Sequence, residues 1–371
     1  MHIAFVHDYL TQYGGAERVL EVLYRTYADS SRHVYTSFHA KDRLPPEMRS
    51  WNITTSPVGR LPFASRTHRA WLPFYPRIFR QLGESIADAD VVIAGSSAWA
   101  HHAHPVGDTP HIVYCHSPAR FLYGDRNYLD ASGMSGIGAA LSARIFEHLR
   151  NQDIEAAQHP HRVIANSNAV RERIWRFWHR EAEVIHPPVE TLRFRPPDDM
   201  TIQPWFLVVS RLVPHKWIDR AVEASNRTGL PLRIIGAGRD EASLRALAGP
   251  QVRFLGQLAD EHVATAMQQC QALILPGVED FGMTAVEAQA AGRPVIAAAD
   301  GGALETVIDG ATGFLVPPGD GDALADAMIT ATRHTWDRDA ILTHAAGFDV
   351  RHFERRFKQA VSETIASVTG S

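Results

Sequence analysis

Short apolar runs alternate with segments of helical apolar spacing along the whole chain, and this alternation limits the fold more than any other feature. In the first half the candidate strands are Ile3–Val6, Val34–Tyr35, Val91–Ala94, Ile112–Tyr114, Arg162–Ala165 and Val184–Ile185. In the second half they are Phe206–Val209, Arg233–Ile235, Val252–Leu255, Ala272–Leu275, Pro294–Ala297 and Gly313–Val316. Amphipathic stretches such as Ala16–Tyr27 and Ile218–Thr228 lie between them. Strand–helix alternation of this kind predicts parallel sheets covered by helices on both faces. The fold class is therefore α/β, with two doubly wound, Rossmann-like domains. A chain of 371 residues can give each its own core. The Pro-rich run His186–Asp199 is the candidate linker, and the tail from Phe348 reads as an amphipathic helix. The expected parts are residues 1–190, residues 191–350 and a terminal helix over 351–371.

Composition narrows the function classes. Residues 1–190 hold 20 Lys and Arg against 19 Asp and Glu, and the remainder hold 17 against 22, so neither half has the positive charge of a nucleic-acid binder. Only Cys115 and Cys270 occur, which gives no disulfide framework and favours a reducing compartment. No basic segment precedes a long apolar run at the start, and no long uncharged apolar window appears later. The expected location is cytoplasmic, at most peripheral to the inner face of a membrane.

The run PGVEDFGMTAVEAQAAGRPVIA carries the densest chemistry. Its turn EDFGM falls where a strand ends and a helix begins, so backbone N–H groups at Gly282, Met283 and Thr284 and the helix dipole favour an anion there. Glu279 and Glu287 place two acceptor-only carboxylates around that point, one suited to sugar hydroxyls and the other to a ribose diol. Arg211 and Lys216, in SRLVPHKW, follow the first strand of the second half and can neutralise a leaving diphosphate without a metal. Gly14 and Gly15 follow the first strand of the chain and either let backbone approach a phosphate or form a tight turn. They are not part of a GxGxxG run, which argues against a nicotinamide site. His101, His102 and His104 lack further ligands at recognisable spacing, so they read as a solvated loop rather than a metal tract, and no metal or cofactor is assigned. The strip Arg60–Arg80 holds five arginines and no acid among Phe63, Trp71, Phe74, Tyr75 and Phe79. It reads first as core packing and second as a surface for an anionic membrane.

The Glu279-to-Glu287 run, SRLVPHK and GGALETVIDGATGFLV together resemble the retaining family-four glycosyltransferases of the GT-B fold. HDYLTQYGGAERVL, IVYCHSPARFLY, RVIANSNAVRERI and VIHPPVETLRF are similar to amino-terminal signatures of the same family, so the resemblance spans nearly the whole chain. The opening run and the turn EDFG look closest to bacterial polysaccharide mannosyltransferases. The resemblance implies two domains facing a central cleft, an acceptor site in the first, a nucleotide-sugar donor site in the second, and a last helix that crosses back. It implies that Arg211 and Lys216 hold the donor diphosphate, that Phe281 lies in the donor loop, and that His116 lies by the reacting carbon. The implied reaction moves a hexose, mannose from GDP-mannose, to a glycan or lipid-linked acceptor without a metal. Trp217 departs from the pattern, since many relatives carry Gly after the Lys. A GT-B epimerase would share the diphosphate site, a dinucleotide oxidoreductase would share the alternation, and a non-catalytic sugar-nucleotide binder would share the fold without Glu279, His116 or Lys216.

Overall fold

Buried along almost its whole length, the run His2–His7 forms β1, and two neighbours flank it in parallel. β2 spans Ser31–Thr36, β3 Ile53–Thr55, β4 Val91–Ser96, β5 His111–Cys115, β6 Arg162–Ala165 and β7 Glu183–Val184, in the spatial order β3-β2-β1-β4-β5-β6-β7. A second parallel sheet, of order β10-β9-β8-β11-β12-β13, is made by β8 (Phe206–Val209), β9 (Leu232–Ile235), β10 (Val252–Gly256), β11 (Leu273–Leu275), β12 (Val295–Ala298) and β13 (Gly313–Val316). These are residues of a computed structural model that describes positions 1–60, 68–123 and 137–370. The sheets belong to two compact units, Met1–His186 with Glu354–Ser371, and Pro187–Phe353.

Continuous apolar runs are what a strand covered on both faces needs, and β4, β5 and β12 are buried at every position. β3 escaped the sequence reading because ITT is half-buried and largely polar, as suits an edge strand. Among the helices of the first unit, α1 spans Gly15–Thr26, α2 Tyr75–Glu84, α3 Ile137–Ala156 and α4 Asn168–Trp178. In the second, α5 spans Ile218–Thr228 and α6 Met283–Ala290. The last helix, α7, covers Val350–Thr369 and buries Phe357, Ala360, Val361 and Thr364 on one stripe. Among the described residues no helix is long and apolar enough to cross a membrane.

Part of the strip Arg60–Arg80 lies outside the described residues, namely 61–67. Within α2, Tyr75 and Phe79 are buried in the core while Arg77 and Arg80 are exposed, and Phe74 just before it is also exposed.

The histidine tract corrects the sequence reading. His101 and His102 are buried, and only His104 is half-exposed. The cause lies in Asp8, whose carboxylate accepts four backbone N–H groups, from Ser97 (2.6 Å), Ala98 (3.0 Å), Trp99 (2.7 Å) and Ala100 (2.7 Å). That clamp folds the turn after β4 inward, and His101 then packs on Trp178 with ring centroids 4.6 Å apart.

His111, at the start of β5, is also buried, and neither ring nitrogen has a hydrogen-bond partner. Burial first, then the charges of His161, His101 and His159, push its pKa from 6.5 down to about 3. Between those values the unfolded chain takes up a proton that the folded chain refuses. Stability present above pH 6.5 should therefore be lost as pH falls through this window. His111→Leu should flatten the pH dependence of the urea midpoint between about 6.5 and 3; an unaltered slope would assign it to other groups.

Candidate active site

At the centre of the second sheet the strand order reverses. β8 pairs with β9 on one side and β11 on the other, so the connections leaving β8 and β11 diverge beyond their carboxyl ends. In an open parallel sheet that reversal is where ligands bind.

Arg211 and Lys216 lie on the connection after β8, and Arg211 is exposed. Pro214–Lys216 make one turn of 3₁₀ helix, and Trp217 then adopts φ 49°, ψ 38° before α5. A left-handed residue with a Cβ costs about 1–2 kcal/mol, so the Trp that departs from the family pattern holds a backbone geometry that glycine would adopt freely.

The connection after β11 passes through Gly277 to Glu279. A Cβ on Gly277 would stand 2.8 Å from Lys216 Cα, so glycine lets the two connections meet at backbone distance. There Lys216 Nζ lies 2.5 Å from both Oε1 and Oε2 of Glu279, with the side chains 15% and 20% exposed. The Glu279 carbonyl accepts from Gly302 N at 2.9 Å. A Cβ on Gly302 would fall 2.2 Å from Phe281 Cα, so the turn EDFG is seated directly on the Gly301–Gly302 backbone. Phe281 anchors that turn from below: it is buried, with its ring centroid 5.6 Å from that of Phe348. Gly282, at φ 85°, caps α6, and Met283 and Thr284 form its half-buried first turn. First-turn N–H groups have no partner inside a helix and are available to an anion. Glu287 sits one turn further along α6 and is 6% exposed.

In the first unit the order reverses between β1 and β4. His7 ends β1, Gly95 lies opposite it on β4, and His116 follows β5. A Cβ on Gly95 would come within 3.3 Å of His7 Nδ1 and 3.6 Å of His116 Nε2, so both imidazoles border the same strand ends. Gly14 precedes α1 with φ −140°, and Gly15 begins the helix. Extended backbone at Gly14 is open to any residue, and its N–H donates to Glu17 Oε2 at 2.8 Å. Glu17 Oε1 lies 3.5 Å from His7 Nε2. Burial raises the Glu17 pKa, but the His7 hydrogen bond and charge, with backbone donors at Glu17 and Gly14, outweigh it and hold the carboxyl below its usual range. Sequence reasoning missed Asp8, His7 and Glu17. The signal available was polar residues directly after an apolar strand, at the end where ligands bind.

The structure thus gathers Lys216, Glu279, Phe281, Gly282, Met283 and Thr284 on two adjoining connections of the second unit. In the first unit His116 follows β5, while Gly14 and Gly15 stand at the start of α1.

Two family models match successive parts of the chain: "Glycosyltransferase Family 4" over residues 13–193 and "Glycosyl transferases group 1" over residues 195–343. The chain belongs to the family-four glycosyltransferases of the GT-B fold. It is 42% identical over 130 residues to the phosphatidyl-myo-inositol mannosyltransferase of Mycobacterium leprae, covering 33% of this chain and 34% of that one. It is 28% identical over 274 residues to the D-inositol 3-phosphate glycosyltransferase of a Nocardioides species, covering 64% and 53%. The matched stretch spans about a third of the first of these relatives and about half of the second. Among solved structures, that of Anabaena Alr3699/HepE in complex with UDP superposes with a TM-score of 0.74 at 20% identity, covering 98% of this chain and 100% of that one. Sucrose-phosphate synthase from Thermosynechococcus elongatus gives 0.71 at 19% identity, covering 99% and 100%. At such identity the likeness is one of fold.

Seating the EDFG turn on Gly302 leaves no room for a methyl group. Gly302→Ala should cost about 1–3 kcal/mol, read as a lower urea midpoint. Wild-type stability in that variant would show that the turn does not rest on this contact.

Proposed function

We propose that the chain is a retaining hexosyltransferase that moves mannose from GDP-mannose to a glycan or lipid-linked acceptor in polysaccharide or glycoconjugate biosynthesis. The observation that carries this reading is the Lys216–Glu279 pair, set where the strand order of the second sheet reverses. A cation and a carboxylate held on adjoining connections suit a ligand whose diphosphate and sugar hydroxyls are next to one another. A diphosphate reaching Lys216 takes over the cation and frees the Glu279 carboxylate to accept from hydroxyls. Arg211 and the first turn of α6 then stabilise the charge that grows on the leaving nucleoside diphosphate. The sugar passes through an oxocarbenium-like state and is attacked from the face the diphosphate leaves, with the leaving phosphate as base. His116 is assigned to the sugar near its reacting carbon, and Glu287 to the ribose. Support for mannose and guanine comes from the mannosyltransferases among the curated relatives, one of which is named as GDP-mannose-dependent. Uracil is the alternative base, because Anabaena Alr3699/HepE was solved with UDP-glucose.

Thermal shift against GDP- and UDP-sugars tests the donor, since a ligand that binds only the folded chain raises its Tm. GDP-mannose should raise it most, and a larger rise with a UDP-sugar would replace guanine by uracil. With the preferred donor at saturation, Lys216→Ala should lose at least about tenfold in turnover, from a charge-assisted contact of about 1.5–3 kcal/mol. Added Mg²⁺ or Mn²⁺ should leave the initial rate unchanged. Undiminished turnover in Lys216→Ala would show that Lys216 does not hold the donor diphosphate.

The two glutamates should separate in calorimetry with the free nucleoside diphosphate. Glu287→Ala should weaken binding, whereas Glu279→Ala should leave it nearly intact and lose rate in the transfer assay. Equal losses of nucleotide affinity would refute this division of labour.

A further inference from the structure

Away from these residues, three ligating atoms of the first unit converge in its buried interior. His101 and His102 sit on the turn after β4, and Asp153 lies in α3, about fifty residues later. Asp153 Oδ1 is 3.1 Å from His101 Nε2 and 3.6 Å from His102 Nε2, and the three residues are at most 1% exposed. One ligand atom from each lies within 4.8 Å of the others. None of these three atoms has a hydrogen-bond partner. At 3.1 Å the His101–Asp153 contact fails by angle, since a proton on Nε2 would not point at Oδ1. A ring nitrogen that ligates an ion points off the line joining it to the neighbouring ligand, which is the geometry seen.

The surroundings orient the three as an outer shell orients metal ligands. Asp153 Oδ2 accepts from Tyr123 Oη at 2.6 Å and from Trp178 Nε1 at 2.7 Å, which fixes the carboxylate and leaves Oδ1 facing the histidines. His101 Nδ1 lies 3.0 Å from Ser96 Oγ, which orients the ring with Nε2 toward the carboxylate. A carboxylate enclosed with two imidazoles in dry interior needs a shared positive charge. Ligand atoms about 3.3 Å apart are what a tetrahedral Zn²⁺ with bonds of about 2.0–2.1 Å requires, and the 3.1 Å and 3.6 Å spacings lie on either side of that value.

We propose that His101 Nε2, His102 Nε2 and Asp153 Oδ1 form a structural site for Zn²⁺ or a similar borderline divalent ion, with a water as the remaining ligand. The ion ties α3 to the turn that Asp8 holds at the end of β4. It is separate in the chain from Lys216 and Glu279. A metal here departs from the sequence expectation, which assigned none to His101 and His102; Asp153, the further ligand, is too far along the chain to show as a recognisable spacing.

The test uses the full chain, stripped with a strong chelator and titrated with CoCl₂, then ZnCl₂. The wild type should take up about one equivalent of Co²⁺, giving the intense visible bands of a four- or five-coordinate site, which Zn²⁺ displaces. Excess Zn²⁺ should raise the Tm of the stripped protein. His102→Gln and Asp153→Asn should bind Co²⁺ at least tenfold more weakly. Should either variant fail to fold, the wild-type spectrum decides, because exposed histidines give only the weak bands of a water-rich octahedral ion. A stripped, folded wild type that shows no such bands would overturn the proposal and leave the cluster a buried histidine–carboxylate ion pair. Full Co²⁺ binding in folded His102→Gln would also overturn it, by placing the ion elsewhere.

Discussion

Parallel pairing of β8 with β11 is the constraint on which the second unit depends. Once those strands are neighbours, their connections must leave in opposite directions, and the residues just past their carboxyl ends are brought together. Lys216 and Glu279, 63 residues apart, are brought together by that pairing. The first unit repeats the scheme, with β1 beside β4. There the meeting partners are the Asp8 carboxylate and the backbone of Ser97–Ala100. One sheet thus ends in an ion pair and the other in a backbone clamp.

These two contacts differ in what they resist. Asp8 is 2% exposed and has its carboxylate filled by four donors, so it is an anchor with little capacity for a ligand. The Lys216–Glu279 pair is partly exposed and bidentate, and water screens part of its attraction. A pair of that kind opens readily to a ligand carrying its own anion and its own hydroxyls. The glycines at 277 and 302 add the needed precision by setting backbone against backbone, which no flexible side chain can do.

Much of this was legible in the sequence, for identifiable reasons. Twelve of the strands announce themselves as short runs with apolar residues at their centre, and β4, β5, β11 and β12 are buried at every position, while β3 is polar and half-buried at an edge and carries no such signal. Arg211, Lys216, Glu279 and Glu287 stand in motifs whose spacing survives in one dimension. Asp8 was not legible, because its partners lie 89 to 92 residues away and are backbone groups of no particular residue type. His101 and His102 were misread as solvated because the helices that cover them, α3 with Asp153 and α4 with Trp178, come later in the chain. Local composition can show that a tract is polar, but only the packing of distant elements decides whether it is dry.

A double-mutant cycle on GDP-mannose affinity, built from Lys216→Ala, Glu279→Gln and the pair, asks whether one donor spans both connections of the second sheet. If Lys216 and Glu279 hold one donor between them, the two changes should be non-additive by about 0.5–3 kcal/mol. Wild-type affinity in both single variants would contradict the assignment of the donor to these connections.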